Sequence, residues 1–366
     1  MKTYRHIYEE VISDENIELA IKETCKSRKK SRRKQRKLNW LKSNPDRVAL
    51  VRGWISHYYP IRRNPHEIYD GIARKKRFIY VPSVRETVVQ HALVQILNKY
   101  LMRGVYEHTY AAIKRRGQHK AKGYIERYIR KNPKKVKYYL KLDIKQYFPS
   151  IPQEKVIEKL AKQIKDEKAI KLMETILYAS ESGIPLGYYI SQWIANFYLR
   201  DFDHAVKGMI GRCLYVRWMD DMVIFSPNKR DLHRYKDVIS EMLAEMGLTL
   251  KENWRIQRFD HPKGGCFLDY MGFRFYRTRT TLRRSIYMKM CRKARRIASK
   301  EKATIYDIRQ FMSYLGWIKH SDTYGAYIKY IKPYANIQRM KRRISGHDRN
   351  LRKAAEDNRR AGGATA

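Results

Sequence analysis

Two adjacent carboxylates, Asp220 and Asp221, are the residues of this chain whose types and spacing best suit chemistry. They stand between Tyr215–Trp218 and Met222–Phe225, two runs rich in β-branched and aromatic residues, so the pair is predicted at the tip of a β-hairpin. Two like charges held side by side are unfavourable unless a cation neutralises them, and hard divalent cations such as Mg²⁺ bind carboxylate oxygens. Taken alone, the pair could also be a solvated acidic turn.

A third carboxylate, Asp143, ends another predicted strand and is followed by Tyr147 and Phe148. A carboxylate at a strand end can bind a metal ion, and an aromatic residue shortly after it suits a nucleotide site. The Phe148 ring could lie under the sugar of a nucleotide and exclude a 2′-hydroxyl. The alternative for Phe148 is an ordinary aromatic residue of the core.

Between these carboxylates lies the segment 183–192, in which Gly183, Pro185 and Gly187 indicate a close approach of the backbone to another group. A strand ending in a carboxylate, a glycine-containing loop entering a helix, and a hairpin with two carboxylates follow the order of parts in a polymerase palm. In such a palm, two metal ions activate a 3′-hydroxyl and stabilise the leaving pyrophosphate.

The composition agrees with a polyanionic partner. The 366 residues include 80 Lys and Arg against 36 Asp and Glu, a formal net charge of +44, which indicates nucleic acid first and a membrane surface second. No apolar run approaches the roughly 18 residues that span a bilayer, and the first residues lack an apolar signal region, so we expect a cytoplasmic protein. The four cysteines lack metal-ligand spacing and are expected to be reduced thiols.

The most basic run, Lys26–Lys37, is interpreted as an arm that follows phosphates, with a solvated charge run as the alternative. The RNA-binding residues predicted in this run are Lys26, Arg28, Lys29, Lys30, Arg32, Arg33 and Lys34.

Several further elements must position these residues. Ser83–Leu97 is predicted as a helix that begins with a Ser83/Glu86 capping box, directly after a basic cluster and a short strand. Residues 152–182 and 282–344 are predicted to be helical, and 267–276 to form a strand pair with a close approach at its glycine. Tyr324, Tyr327, Ile331 and Tyr334 recur at helical spacing, which favours a core face over a base-stacking surface.

Together these motifs resemble a reverse transcriptase over almost the whole length of the chain. Asp143 with Phe148 is similar to the first palm motif, and Trp218–Asp221 is similar to the Tyr-x-Asp-Asp box, with tryptophan in the place of tyrosine. Asp269–Phe273 resembles the primer-grip hairpin, and Gly247–Lys251 resembles the motif that precedes it. In the fingers, Glu86-Thr87 stands where an Asp-Arg pair is typical of the family.

The resemblance is closest to the reverse transcriptases of diversity-generating retroelements. Leu186-Gly187 followed by Ser191-Gln192 is similar to the palm loop of that group, and Val89–Leu93 and Ser313–Trp317 also resemble it. The resemblance implies copying of a template-repeat RNA into cDNA, with frequent errors opposite adenine, and a small basic accessory protein that forms an oligomer. A retron or phage-defence enzyme is the first alternative, a group II intron-like enzyme the second, and a catalytically inactive RNA-binding scaffold the third.

The resemblance also implies an α+β fold with the right-hand polymerase architecture of fingers, palm and thumb. The expected divisions are an N-terminal helical and basic arm (1–68), fingers (69–135), a palm (136–276) with a helical insertion at 152–182, a helical thumb (277–354) and a disordered tail (355–366).

Site roles follow from the same resemblance. Asp143, Asp220 and Asp221 are the expected catalytic residues and, with Ile144, the ligands of two Mg²⁺ ions, for which Mn²⁺ could substitute. The expected contacts to the incoming dNTP are Lys76, Arg77, Arg85, Tyr147, Phe148, Leu186, Gly187, Ser191, Gln192 and Lys251. The expected primer grip, which holds the growing cDNA, is Tyr270, Met271 and Gly272.

Overall fold

The structure is a computed structural model that describes residues 3–26, 31–59, 64–70 and 75–362. It divides into two units, one formed by residues 1–121 with 134–257 and the other by residues 122–133 with 258–366. Helices and an antiparallel sheet share the first unit, which confirms the α+β prediction. Within the described ranges, no helix is both long and apolar enough to cross a membrane.

The elements are numbered in chain order. The strands are β1 (His66–Asp70), β2 (Lys75–Ile79), β3 (Tyr138–Asp143), β4 (Tyr215–Trp218), β5 (Asp221–Ser226), β6 (Arg255–Arg258), β7 (Leu268–Tyr270), β8 (Phe273–Phe275) and β9 (Thr280–Leu282). The first twelve helices are α1 (Ile7–Ile12), α2 (Asp14–Cys25), α3 (Arg32–Ser43), α4 (Arg47–Ser56), α5 (Val84–Leu101), α6 (Gln118–Lys131), α7 (Tyr147–Ser150), α8 (Gln153–Ala161), α9 (Glu167–Leu177), α10 (Tyr189–Tyr198), α11 (Arg200–Ile210) and α12 (Lys229–Glu245). The last four are α13 (Arg284–Ala298), α14 (Ile305–Lys319), α15 (Tyr324–Tyr330) and α16 (Ile337–Gly362), with a 3₁₀ turn at Lys332–Tyr334.

The four-stranded sheet of the first unit has the order β4-β5-β3-β6. Strand β5 pairs antiparallel with both β3 and β4, in a register that places Asp221 opposite Asp143 on one side and opposite Trp218 on the other. The predicted hairpin and the strand that ends at Asp143 are therefore both confirmed. Because β3 ends where β5 begins, the three carboxylates come to the same edge of this sheet.

Helix α5 runs through the core of the first unit and begins with the predicted capping box. The Ser83 hydroxyl accepts the Glu86 N–H at 3.2 Å, and the Glu86 carboxylate accepts the Ser83 N–H at 2.7 Å. These two bonds satisfy backbone donors that the first turn of a helix leaves open. The helix extends to Leu101, four residues beyond the predicted end at Leu97.

The glycine-containing loop packs against the chain that enters α5. The Tyr80 N–H donates to the Leu186 carbonyl at 2.7 Å, and a Cβ added at Gly187 would lie 2.4 Å from the Tyr80 carbonyl oxygen. Gly187 also has φ +108°, a backbone conformation that L side chains rarely adopt. The predicted close approach of this loop is therefore confirmed, and its partner is the backbone at Tyr80.

A buried ion pair joins β4 to α11. Arg217 and Asp203 are both fully buried, and the guanidinium Nε and Nη2 each donate to the carboxylate at 2.7 Å. The same carboxylate accepts the Tyr215 hydroxyl at 2.7 Å and the Thr109 hydroxyl at 3.0 Å. The side chains of Arg217, Tyr215 and Thr109 therefore all donate hydrogen bonds to the Asp203 carboxylate, which is the arrangement that a buried charge requires.

The second unit contains a small antiparallel sheet, β7-β8-β9. Tyr270 pairs with Phe273 across a two-residue turn at Met271 and Gly272, whose φ angles are +50° and +84°. A Cβ at Gly272 would meet the Trp317 ring at 2.7 Å, which confirms the predicted close approach at this glycine. The sequence analysis placed β7 and β8 in the palm, whereas the structure groups them with β9 and the helices that follow.

Two other expectations differ from the structure. The tyrosine stripe was expected to be core, but only Ile331 is buried and Tyr327 half-buried, whereas Tyr324 and Tyr334 are exposed. Because α15 ends at Tyr330 and Pro333 lies in a separate 3₁₀ turn, the four residues do not form one continuous helical face. The expected disordered tail is helical over 355–362, as part of α16, and its alanine, arginine and glutamate residues favour a helix. Residues 363–366 lie outside the described residues.

The Arg217–Asp203 pair predicts a large stability effect. Replacing Arg217→Met should lower the free energy of unfolding by about 3–5 kcal/mol, because Asp203 would keep a buried and uncompensated charge. Urea unfolding at neutral pH measures the change. The matched control is Lys162→Met, which removes the exposed pair with Glu158 and should leave the free energy of unfolding nearly unchanged. Equal changes in the free energy of unfolding for the two substitutions would show that the buried pair contributes no more to stability than an exposed pair.

Candidate active site

The three carboxylates are held at the sheet edge by backbone bonds on both sides of Asp143. The Ile144 N–H donates to the Asp220 carbonyl at 3.3 Å, so the chain leaving β3 is joined to the tip of the hairpin. The Lys251 N–H donates to the Asp143 carbonyl at 2.8 Å, which joins it to a second segment. The side chain of Ile144 is buried in the core, so only its backbone belongs to the site.

The turn of the β4–β5 hairpin is held by a hydrogen bond from the buried Arg217 side chain. Met219, between β4 and Asp220, has φ +58°, a left-handed conformation that costs a non-glycine residue free energy. Its carbonyl accepts a 2.8 Å hydrogen bond from Arg217 Nη1, on the same guanidinium that binds Asp203. The buried ion pair therefore determines where the backbone of Asp220 stands.

Sequence reasoning missed Arg217 and Asp203 as residues that build the site. The available signal was a single cation within the hairpin strand Tyr215–Trp218, which is otherwise uncharged. A strand that enters the core with a charge must find a counter-charge there. The sequence does not say which of the acidic residues supplies it.

The carboxylates act on one another electrostatically. Burial, together with the nearby charges of Asp143 and Asp220, raises the pKa of Asp221 to about 6, although Lys141 opposes the shift. Burial and the charge of Asp143 also raise the pKa of Asp220, opposed by Lys251 and Arg77. Burial and mutual repulsion together therefore make the ionised forms of Asp220 and Asp221 less favourable than in water.

Two lysines lie among these carboxylates. Lys251 Nζ forms an ion pair with the Asp143 carboxylate, and Lys141 Nζ lies 3.9 Å from Asp221 Oδ1. Within the described ranges, no three His, Cys, Asp or Glu side chains are gathered closely enough to hold a metal ion. The donor set nevertheless fits a hard divalent cation, because it consists of carboxylate oxygens, and burial together with the neighbouring carboxylates disfavours the ionised forms of Asp220 and Asp221 until a cation is bound.

The palm-loop residues predicted to contact the nucleotide fall into two groups. Gly187 and Gln192 are exposed and Leu186 is half-buried, so all three are accessible. Ser191 is fully buried, and its hydroxyl donates to the Pro185 carbonyl at 2.7 Å. Ser191 therefore shapes the loop and does not reach a ligand, contrary to the sequence-based expectation.

The two aromatic residues after Asp143 also differ. Tyr147 was expected at the nucleotide, but it is buried, its hydroxyl donates to the Ala195 carbonyl at 2.6 Å, and burial raises its pKa far above the ordinary value. Tyr147 is therefore a core residue. Phe148 is half-buried and meets the Tyr147 ring edge-on, with 5.7 Å between centroids.

The three predicted triphosphate contacts have different environments. Lys76 on β2 forms a 2.8 Å ion pair with Glu67, across the β1–β2 hairpin. Arg77 is close enough to Asp220 to lower its pKa. Arg85 Nη2 donates to the His57 carbonyl at 2.7 Å, and its guanidinium lies over the Tyr59 ring. Arg77 is thus the one of the three that the structure links to the carboxylates.

The predicted basic arm is partly helical. Arg32, Arg33 and Lys34 form the first turn of α3, and Lys34 Nζ donates to the Pro82 carbonyl at 2.7 Å. Lys26 forms an ion pair with Glu23 at the end of α2. The predicted residues that lie outside the described residues are Arg28, Lys29 and Lys30.

An antiparallel sheet edge that carries three carboxylates, in one unit with a glycine-containing loop, is the arrangement expected of the palm of a nucleic-acid polymerase. The model of the family described as reverse transcriptase (RNA-dependent DNA polymerase) matches residues 64–254, more than half of the chain. The protein therefore belongs to the reverse transcriptase family.

Two curated proteins are similar to parts of the chain. It is 27% identical over 218 residues to the Retron Ec73 reverse transcriptase of Escherichia coli, an alignment that covers 54% of this chain and 65% of that protein. It is 28% identical over 157 residues to an uncharacterized 91 kDa protein in the cob intron of Schizosaccharomyces pombe, covering 39% of this chain and 18% of that protein. The chain thus spans less than two thirds of either relative.

Among solved structures, telomerase from Candida tropicalis in complex with the TWJ fragment of telomeric RNA aligns with a TM-score of 0.45 and 13% identity. That alignment covers 78% of this chain and 60% of the telomerase chain. Telomerase from Candida albicans, in complex with the same kind of fragment, aligns with the same TM-score and 10% identity.

The raised pKa of Asp221 predicts a pH-dependent stability in EDTA. Because the folded pKa lies above the ordinary value of 3.8, the folded protein holds this proton more tightly, and stability falls as pH rises through about 6. Asp221→Asn should therefore raise the melting midpoint at pH 7.5 by about 1–2 °C, the shift that roughly 1 kcal/mol produces in a chain of 366 residues. The gain should disappear near pH 4.

Thermal melting of the exposed-site control Asp237→Asn, at both pH values, completes this experiment. An increase in melting midpoint for Asp221→Asn that is equal at pH 4 and pH 7.5 would contradict the raised pKa of Asp221. An equal increase for Asp237→Asn would contradict it as well.

Proposed function

We propose that this protein is an RNA-directed DNA polymerase whose reaction takes place at Asp143, Asp220 and Asp221. The observation that carries the proposal is the meeting of these three carboxylates at one sheet edge, with raised pKa values for the last two. Asp143, Asp220, Asp221 and the backbone of Ile144 would hold two divalent cations, Mg²⁺ or Mn²⁺. Bound there, the cations supply a Lewis acid for the primer 3′-hydroxyl and for the leaving pyrophosphate.

The lysines at the site have a role in this proposal. Lys251 now neutralises Asp143, and Lys141 lies near Asp221. Cations bound to these carboxylates would compete with the two ammonium groups for the carboxylate oxygens. Lys251, on the segment bonded to the Asp143 backbone, would then be available to bind the negative charge of the incoming triphosphate. Arg77, which lies close enough to Asp220 to affect its pKa, would bind the same phosphates.

The palm loop is the basis for a finer proposal, that the enzyme belongs to the diversity-generating retroelement group. Leu186, Gly187 and Gln192, which carry the resemblance, are accessible at the entrance to α10. The template would be a template-repeat RNA and the product a cDNA with errors opposite adenine, made with a small basic accessory protein. These properties rest on the resemblance of the loop.

A retron reverse transcriptase is the second candidate, because the Escherichia coli relative carries that name. The two candidates differ in copying accuracy. On one defined RNA, a diversity-generating enzyme should produce cDNA whose substitutions concentrate opposite template adenines, and Leu186→Gln should reduce them several-fold by restoring a hydrogen-bonding side chain. Deep sequencing of the cDNA measures both effects. Evenly distributed errors that Leu186→Gln leaves unchanged would favour the retron candidate.

The carboxylates provide the most direct test of the activity. Asp220→Asn should abolish primer extension on an RNA template while RNA binding stays intact, because the substitution removes one negative ligand and little volume. Extension by the wild type should require added Mg²⁺ or Mn²⁺. The matched control, Asp237→Asn on the exposed face of α12, should extend normally. Extension by Asp220→Asn at the wild-type rate would disprove the assigned centre.

Phe148 is proposed as the sugar gate. Its ring is half-buried, in the turn directly after Asp143, and its carbonyl accepts the Ile184 N–H at 2.9 Å, which places it against the palm loop. Phe148→Val should therefore increase incorporation of ribonucleotides, because the smaller side chain leaves room for a 2′-hydroxyl. Phe148→Tyr keeps the ring and is the control. Unchanged selection between dNTP and rNTP in Phe148→Val would identify Phe148 as a packing residue.

A further inference from the structure

The second unit exposes aromatic side chains that the polymerase centre does not explain. Tyr324, Tyr330 and Tyr334, on α15 and the following 3₁₀ turn, are 65%, 42% and 40% exposed. Tyr327 is half-buried, and its ring stacks on Tyr324 with 5.8 Å between centroids and 29° between planes. We refer to these four residues as the tyrosine surface.

The backbone beneath the tyrosine surface is anchored. Ile331 is fully buried, Ala335 is buried to a similar degree, and the Tyr287 hydroxyl on α13 donates to the Ala326 carbonyl at 3.2 Å. The rings therefore stand on a fixed support, and little conformational entropy would be lost when they bind a flat partner.

A cavity of about 680 Å³ lies beside these rings. It is lined by Tyr327 and Tyr334, by the cations Lys332 and Arg339, and by the amides Asn336 and Gln338. Its volume is in the range of sites that hold a small organic molecule, and its lining combines aromatic faces, positive charge and hydrogen-bonding amides. Those are the three kinds of group that bind, respectively, a base, a phosphate and a base edge.

The charge around the tyrosine surface is predominantly positive. Residues 323–346 contain no Asp or Glu. Arg295 lies 5.5 Å from the centroid of Tyr334, and Lys329 lies 5.3 Å from that of Tyr330. Glu301 is the one carboxylate in the cavity lining, and among the described residues no carboxylate is paired with Lys332 or Arg339.

We propose that the tyrosine surface and its cavity bind single-stranded RNA, with unpaired bases stacked on Tyr324 and Tyr334 and phosphates held by Lys332 and Arg339. This proposal rests on the proposed function only in taking RNA as the nucleic acid that the enzyme binds. The tyrosine hydroxyls add a preference for RNA over DNA, because a phenol can bond to a ribose 2′-hydroxyl.

The positive charges beside the tyrosine surface favour RNA over the other partners that an exposed aromatic surface could bind. A second copy of this chain would bring its own excess of cations against Lys329, Lys332 and Arg339. A neutral apolar partner would leave these cations buried without counter-charges, which is strongly unfavourable. An RNA strand supplies both the flat apolar faces and the negative charge.

The test measures the affinity of the full chain for a fluorescein-labelled twelve-nucleotide single-stranded RNA by anisotropy. The variant Tyr324→Ala/Tyr334→Ala should weaken binding about thirtyfold or more, which is at least about fivefold for each of the two bases that lose a stacking ring. It should leave the salt slope unchanged. The variant Lys332→Ala/Arg339→Ala should instead make the log–log slope shallower by about 1.4, for two phosphates on a single strand.

The controls separate stacking from damage to the fold. Tyr306→Ala removes a tyrosine of the same unit that is 70% exposed and lies outside the tyrosine surface, and it should bind like the wild type. Tyr324→Phe/Tyr334→Phe should restore the affinity for RNA but reduce its preference over DNA of the same sequence. A duplex RNA of equal length should show little effect of the tyrosine substitutions.

Wild-type affinity in Tyr324→Ala/Tyr334→Ala, or an equal loss in Tyr306→Ala, would overturn the proposal. A change confined to self-association, measured by sedimentation, would assign the surface to contacts between copies of the chain and would also overturn it. Neither outcome depends on DNA synthesis. Failure of the proposed function would appear separately, as extension by Asp220→Asn.

Discussion

The buried pair of Arg217 and Asp203 is the interaction on which the proposed polymerase centre depends. Its guanidinium binds a carboxylate of α11 and also the carbonyl of Met219, the residue that turns the hairpin just before Asp220. Burying two charges is expensive, and removing one partner is more expensive still. The hairpin therefore cannot shift without disturbing the core, and Thr109, whose hydroxyl binds the same carboxylate, ties a further loop to it.

The sheet edge differs from this rigid support, because the carboxylates of Asp220 and Asp221 lie close together there in a buried environment. Asp220 and Asp221 have raised pKa values because burial and neighbouring carboxylates disfavour their ionised forms. A purely structural site would avoid this arrangement, since it lowers stability at neutral pH. A site that binds cations benefits from it, because the cations relieve the repulsion. Loss of stability in the absence of ligand is a common property of functional sites.

The sequence was sufficient to predict some of these features and not others, for physical reasons. The hairpin carboxylates and the capping box at Ser83 depend on local spacing, which a sequence shows directly. The partner of Arg217 lies on another helix, and only the packing of the core selects it. Tyr147 and Phe148 are neighbours on the short helix α7, yet the Tyr147 ring is buried with its hydroxyl bonded to the Ala195 carbonyl, and the Phe148 ring is half-buried. Both aromatic types are common in cores and in sites, so spacing alone could not separate them.

The central claim is that the edge of the sheet bearing Asp143 and Asp220 is where divalent cations bind. The most direct measurement replaces Mg²⁺ by Fe²⁺ and maps the cuts that iron-generated hydroxyl radicals make in the polypeptide, by mass spectrometry. The account predicts cuts near Asp143 and within the hairpin turn at 219–221, suppressed by excess Mg²⁺ and absent in Asp220→Asn. Cuts that occur elsewhere, or that persist in that variant, would contradict it.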